Sequence, residues 1–253
     1  MSHAVVALPL RRWLPPSAVA AGAMAPDLPY YVPLPFSSGV THDWWAAPLL
    51  DVPLAAGLLV LFHLALRPPL AALAPEPLRA RLPAPVAYES ARRLAAVAVA
   101  LLFGVVTHLA WDEITQVGGY AVANWPWIRV SVYGPHRLYN VIMYVSSAGG
   151  LAVLAAWFAV WYRRAPVVPG RWPGLPGPLR GAVLAAVACA ALAGAVLLGT
   201  GERATFSQYD LVREVILGLS GGAGAALACY VALWHAVRAW RPARTARRGP
   251  GLE

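Results

Sequence analysis

The sequence predicts an all-α integral membrane protein, a polytopic bundle of about five spanning helices preceded by an N-terminal hairpin. Three observations carry that expectation. Of 253 residues, 59% are hydrophobic and only 12% are charged, well outside the balance of a soluble domain. Five apolar stretches reach the roughly 20 residues that a helix needs to cross a ~30 Å hydrocarbon layer. Finally, the arginines alternate between rich and poor connections, as the five spans require.

The chain opens with two apolar pieces of nearly equal length, His3 to Leu10 and Ala18 to Ala25, separated by Arg11, Arg12, Pro15 and Pro16. Prolines and charges at that point favour a re-entrant or interfacial helical hairpin over one broken span. They also interrupt any continuous stretch of the kind found in a cleavable signal peptide. Equal arms return His3 and Asp27 to the same level. The expected spans are Ala47–Leu66, Leu94–Trp111, Leu138–Tyr162, Gly181–Thr200 and Leu211–Trp240, within one membrane domain over residues 1–253.

The net charge of +9 comes entirely from arginine, with no lysine in the chain. Arg67, Arg79, Arg81, Arg92 and Arg93 fall in the first connection between spans, and Arg163, Arg164, Arg171 and Arg180 in the third. Arg238, Arg241, Arg244, Arg247 and Arg248 crowd the tail, whereas the other connections hold Arg129 and Arg137, then Arg203 with Arg213 close by. The positive-inside rule then puts the rich loops and the C-terminus in the cytoplasm. The arginines are scattered and form no aromatic-interleaved patch, which argues against nucleic acid as a partner. The bilayer is the expected one.

Trp125, Trp127 and Tyr133 are expected at headgroup level. Gly170 to Pro178 reads as a turn-rich linker. Gly218, Gly221, Gly222 and Gly224 are expected to allow close helix approach. Cys189 and Cys229 lie inside apolar runs, where small residues packed between helices are a better account than a disulfide or thiolate site.

The stretch Val105 to Thr115 ends the second apolar run and sets His108 and Asp112 four residues apart, on one helical face. Ionisable groups inside a span are costly unless something uses them. With the expected topology, Asp27, His42, His108 and Asp112 gather at the outer ends of their segments, and His3 joins them through the hairpin. Neutral imidazole and carboxylate are ligands for a divalent transition metal, zinc first, with manganese and iron as alternatives. Such an ion lowers the pKa of coordinated water toward ~7. Asp112 or Asp43 would then act as general base or orient a ligand imidazole. The competing expectation is a structural Asp–His knot, or part of a transport path, in a non-enzymatic membrane protein. His63, His136 and His235 are expected to be ordinary interfacial or packed side chains, although His136 lies in a loop from which it could reach the site. Asp51 is expected to partner an interior polar group.

The segments S-H-A-V-V-A-L-P-L at the start, G-A-M-A-P-D over Gly22–Asp27, T-H at Thr41-His42 and T-H-L-A-W-D over Thr107–Asp112 resemble the motifs of a family of bacterial polytopic membrane proteins, domain of unknown function 4184. The likeness covers about the first 150 residues, leaving 151–253 as additional spanning helices. It implies a bacterial inner-membrane location. More distantly, the order H…P-D…T-H…H-x-x-x-D is similar to inner-membrane metal-dependent hydrolases and to zinc-dependent phospholipase C. That likeness implies hydrolysis of an ester or phosphoester, of a lipid among the candidates. The chain departs from the family pattern in two places. Gln116 stands where a histidine is usual, one turn beyond Asp112, and Tyr144 stands where a Gln-His pair is usual.

Overall fold

The computed structural model describes residues 2–84 and 90–247, without the side chains of 2, 209 and 241–247. Arg248 of the basic tail lies outside the described residues. Five helical stretches are long and apolar enough to cross a membrane: Ala47–Leu73, Ala91–Asn124, Leu138–Arg164, Gly177–Gly199 and Asp210–Trp240. Most of their surface is exposed in the isolated chain. A bilayer covers such faces, and an all-helical backbone satisfies its own hydrogen bonds there.

The chain divides into two compact units. The first comprises Met1–His63 and Pro83–Pro166. Its N-terminus forms a 3₁₀ segment, Ser2–Val6, that continues into α1 (Ala7–Leu10). After the turn at Arg11 to Leu14 comes α2 (Pro16–Met24), with Pro16 at the first helical position, where its missing N–H costs nothing. The expected hairpin is therefore present. A 3₁₀ turn at Leu28–Tyr30 and the short α3 (Ser38–Thr41) lead to the first span. That span opens with a π-helical turn, Ala47–Asp51, and continues as α4 (Val52–Leu61).

The second span is α7 (Ala91–Thr115), which follows two short helices of the other unit, α5 (Arg67–Leu73) and α6 (Glu76–Arg79). The Ser90 hydroxyl caps α7 by accepting from the Arg93 N–H. The helix stops at Gln116, whose backbone is extended. The turn beyond it needs glycine. A Cβ on Gly119 would lie 2.6 Å from the Asp112 carbonyl oxygen and equally close to that of Glu113. Next come α8 (Tyr120–Asn124) and a small ribbon, β1 (Ser131–Tyr133) paired antiparallel with β2 (His136–Arg137), turned by Gly134 at φ +53°. This ribbon is the one feature of the unit that an all-α reading omits. It leads into α9 (Leu138–Arg164).

Helix α2 lies flat on α7 because both carry glycine at the crossing. A Cβ on Gly104 would overlap the Val19 carbonyl and sit 2.9 Å from the Gly22 Cα; one on Gly22 would overlap the Leu101 carbonyl. Ala18, Val19, Ala21, Ala55, Leu59, Ala100 and Leu101 fill the space around that crossing.

The second unit comprises Leu64–Leu82 and Val167–Glu253. It contains α5, α6, α10 (Gly177–Gly199) and the long α11 (Gln208–Arg247). Helices α10 and α11 meet where Gly194 faces Gly218 and Gly222 faces the Ala190 backbone, and none of the three glycines has room for a Cβ. Gly221 and Gly224 face open space, so only half of the glycine cluster serves the expected close approach. Cys189 and Cys229 are free and exposed on their helices, not packed between them as the apolar runs suggested.

Candidate metal centre

Each residue of the centre is delivered by a different local device. The hairpin turns Asp27 out just after α2. The Thr41 hydroxyl is fully buried and donates toward the Pro26 carbonyl at 2.7 Å and the Ser38 carbonyl at 3.0 Å. This ties α3 to the Asp27 turn and carries His42 with it. His108 and Asp112 come from successive turns of α7.

Both imidazoles are oriented by backbone carbonyls. His42 Nδ1 donates to Ser38 O at 2.7 Å and His108 Nδ1 to Ala23 O at 2.9 Å. With the neutral ring's proton fixed on Nδ1, each Nε2 presents a lone pair to the centre. The two Nε2 atoms are 3.4 Å apart. Asp27 Oδ1 is 3.6 Å from each of them. Asp112 Oδ2 is 3.3 Å from His42 Nε2 and 3.4 Å from His108 Nε2.

These separations can be tested against an ion. The three edges among Asp27 Oδ1, His42 Nε2 and His108 Nε2 are 3.4, 3.6 and 3.6 Å, which as one face of a tetrahedron correspond to bonds of about 2.1–2.2 Å, near the range for zinc with imidazole and carboxylate. These three form a group whose ligand atoms all lie within 4.8 Å of one another, and Asp112 is not part of it. The residues present fit a divalent transition ion.

Without an ion, a proton fills the same electrostatic role. Burial disfavours a charged His42, but Asp112, Asp27 and the Ser38 carbonyl outweigh it and raise its pKa to about 10. Burial likewise opposes ionisation of Asp27, yet the hydrogen bond from His42 and the charges of the two histidines hold its pKa below the usual value. His3 behaves oppositely: burial, then repulsion from His108, lowers it to about 4.

Of the expected site residues, Asp27, His42, His108 and Asp112 thus converge. His3 lies against the cluster with its ring 4.4 Å from that of His108, tilted by 32°. Asp43 sits at the exposed rim and accepts from Trp45 Nε1 at 3.2 Å. The cluster opens into a cleft of about 430 Å³, bordered by Tyr30, Asp43, Glu113 and Gln116. The other histidines stay outside it: His63 pairs with Ser17, His136 with Tyr144, and His235 with the Ala65 carbonyl.

Several supporting residues escape sequence reasoning. The Ser38 and Ala23 carbonyls leave no side-chain signature. Thr41 could have been suspected, because a hydroxyl beside a ligand histidine often ties its loop. Glu113 clamps the cleft wall by accepting from Trp44 Nε1 at 2.6 Å and from the Tyr120 N–H. Asp51 was expected to have an interior polar partner. It is fully buried, and neither of its carboxylate oxygens has a hydrogen-bond partner among the described residues.

The profile of a domain of unknown function (DUF4184) matches residues 1–232. The chain belongs to this family. The match runs well past residue 150, so the spans of the second unit are largely within the family's domain and are not an appendage to it. No curated protein and no solved structure matches the chain.

Proposed function

We propose that the protein is a metal-dependent hydrolase of the bacterial plasma membrane, acting on an ester or phosphoester of a lipid or another membrane-proximal molecule. The observation that carries this reading is the convergence of two pre-oriented Nε2 atoms with Asp27 and Asp112 beside an open cleft. Asp27, His42 and His108 would hold the ion, zinc by preference, and Asp112 would act as the general base. Catalytic zinc sites keep three protein ligands and leave the fourth position to water. A bound ion would lower the pKa of coordinated water toward ~7 and polarise a carbonyl or phosphoryl oxygen. Asp112 lies on the cleft side and can take the proton that water releases. The carbonyls of Ser38 and Ala23 keep the imidazoles in the required tautomer.

In zinc-loaded wild-type protein, hydrolysis of a 4-nitrophenyl ester or of bis(4-nitrophenyl) phosphate is expected. Asp112→Asn should keep its zinc and lose about 10²–10⁴-fold in rate. Loaded wild type that hydrolyses neither compound, or an Asp112→Asn rate equal to wild type, defeats the assignment.

The competing reading is a metal-free polar knot in a non-enzymatic membrane component. It is favoured by the His42 cation, which by itself bridges Asp27 and Asp112. Metal content separates the two.

Arginine counts support a cytoplasmic C-terminus and a centre on the opposite side. Reporter fusions after Arg81 and Arg164 should be active only in their cytoplasmic form, and one near Gly118 only in its exported form. The reverse pattern would move the centre to the cytoplasmic side.

A further inference from the structure

Asp51 ends the π-helical turn that opens the first span, a distortion found disproportionately at functional sites. The residue is 0% exposed and both its carboxylate oxygens lack a hydrogen-bond partner among the described residues. One turn earlier on the same face, Ala47 packs with Val105 and Leu109 of α7, and Val52 lies against them. The setting is therefore apolar. Among the described residues no guanidinium pairs with Asp51, and its turn packs on the stretch of α7 from Val105 to Leu109, which carries His108. It does not orient the rings of His42 and His108, because both Nδ1 atoms are taken by the Ser38 and Ala23 carbonyls.

A buried carboxylate with no donor is among the most destabilising things a fold can contain. The partial positive charge of the helix's first turn helps, but it is small beside burial. The other two carboxylates of the centre, Asp27 and Asp112, each face both imidazoles. A dication at the point where the two Nε2 atoms meet would relieve Asp51 more than the single charge of a protonated His42 does.

We propose that Asp51 is an outer-sphere counter-charge of the metal centre, a positioning carboxylate that bonds to no ion directly but raises the affinity of Asp27, His42 and His108 for a dication. The inference rests on the metal-centre reading above. It adds a third buried negative charge to those of Asp27 and Asp112, and it explains why an unpartnered acid is kept in a membrane span. Its consequence is a trade: Asp51 weakens the metal-free protein and strengthens the loaded one.

The test measures zinc affinity by chelator competition, and thermal unfolding with and without zinc, on full-length wild type, Asp51→Asn and Asp51→Leu. Both variants should bind zinc about 10–100-fold more weakly, the size typical of groups that act on a metal through its ligands. Metal-free Asp51→Leu should melt above metal-free wild type, while the rise on adding zinc becomes smaller. A purely structural Asp51 gives the opposite pattern, with lower metal-free melting or failure to fold and unchanged affinity, and would overturn the proposal. So would full affinity in Asp51→Asn, since that variant keeps the shape and loses only the charge. If wild type binds no zinc at all, the metal-centre reading itself falls. If all three proteins bind equally, that reading survives and the role of Asp51 does not.

Discussion

Replacing His108 with alanine should empty the centre. Purified wild-type protein is expected to carry about one equivalent of zinc or a related ion, and His108→Ala less than about half, because losing one of three or four ligands removes a large part of the binding free energy. His235→Ala, whose ring bonds a backbone carbonyl far along the chain, should match wild type. Binding should also depend on pH in a definite direction. His42 holds its proton up to about pH 10 in the metal-free cluster, so loading at neutral pH expels that proton and affinity rises with pH toward that value. Stability of the metal-free protein runs the other way. The folded-state pKa of His42 lies above its ordinary 6.5, so its contribution is complete below pH 6.5 and is lost as pH rises through about 10. Equal metal content in wild type and His108→Ala would remove the centre from consideration.

Substituting valine for Gly104 should have a large effect although it removes no polar group. Its Cβ would overlap the Val19 carbonyl and lie 2.7 Å from the Ala23 nitrogen, and backbone cannot move aside as a side chain can. Helix α2 must then lift off α7, at a cost of at least about 1–3 kcal/mol. Ala23 is the residue whose carbonyl orients His108, so the lift reaches the centre. Gly104→Val is therefore expected to lower the melting temperature and to weaken zinc binding about 10–100-fold, as loss of an orienting group does. Gly221→Val meets open space and is the matched control. Unchanged zinc affinity in Gly104→Val would show that the hairpin does not set the imidazole.

The spans were legible because each is an unbroken apolar run of the right length, and composition alone dictates helix in a bilayer. The pair His108 and Asp112 was legible because helical spacing is a property of sequence. Asp27 and His42 were inferred by combining topology with the hairpin, and the structure puts them within 3.6 Å of each other. What stayed hidden depends on backbone position. Nothing in Ser38 or Ala23 announces that its carbonyl will fix a ring, and the contact between Gly22 and Gly104 requires knowing which helices cross. Asp51 was misread because a buried acid is ordinarily paired, so its missing partner is visible only in three dimensions. The second unit shows why composition could locate spans but not their contacts: four adjacent glycines look equivalent in sequence, and only Gly218 and Gly222 meet α10.

The order in which the chain is made gives the hairpin a further meaning. Asp27 and His42 leave the ribosome early, while the ring that His42 must meet follows 66 residues later. During that interval the first span is inserted and the polypeptide turns back toward the membrane, with two acidic or basic side chains waiting at its surface. The cluster closes only when the second span has entered and α2 has settled into the groove at Gly104. Completion of the cluster thus requires that the hairpin and the first two crossings have assembled together.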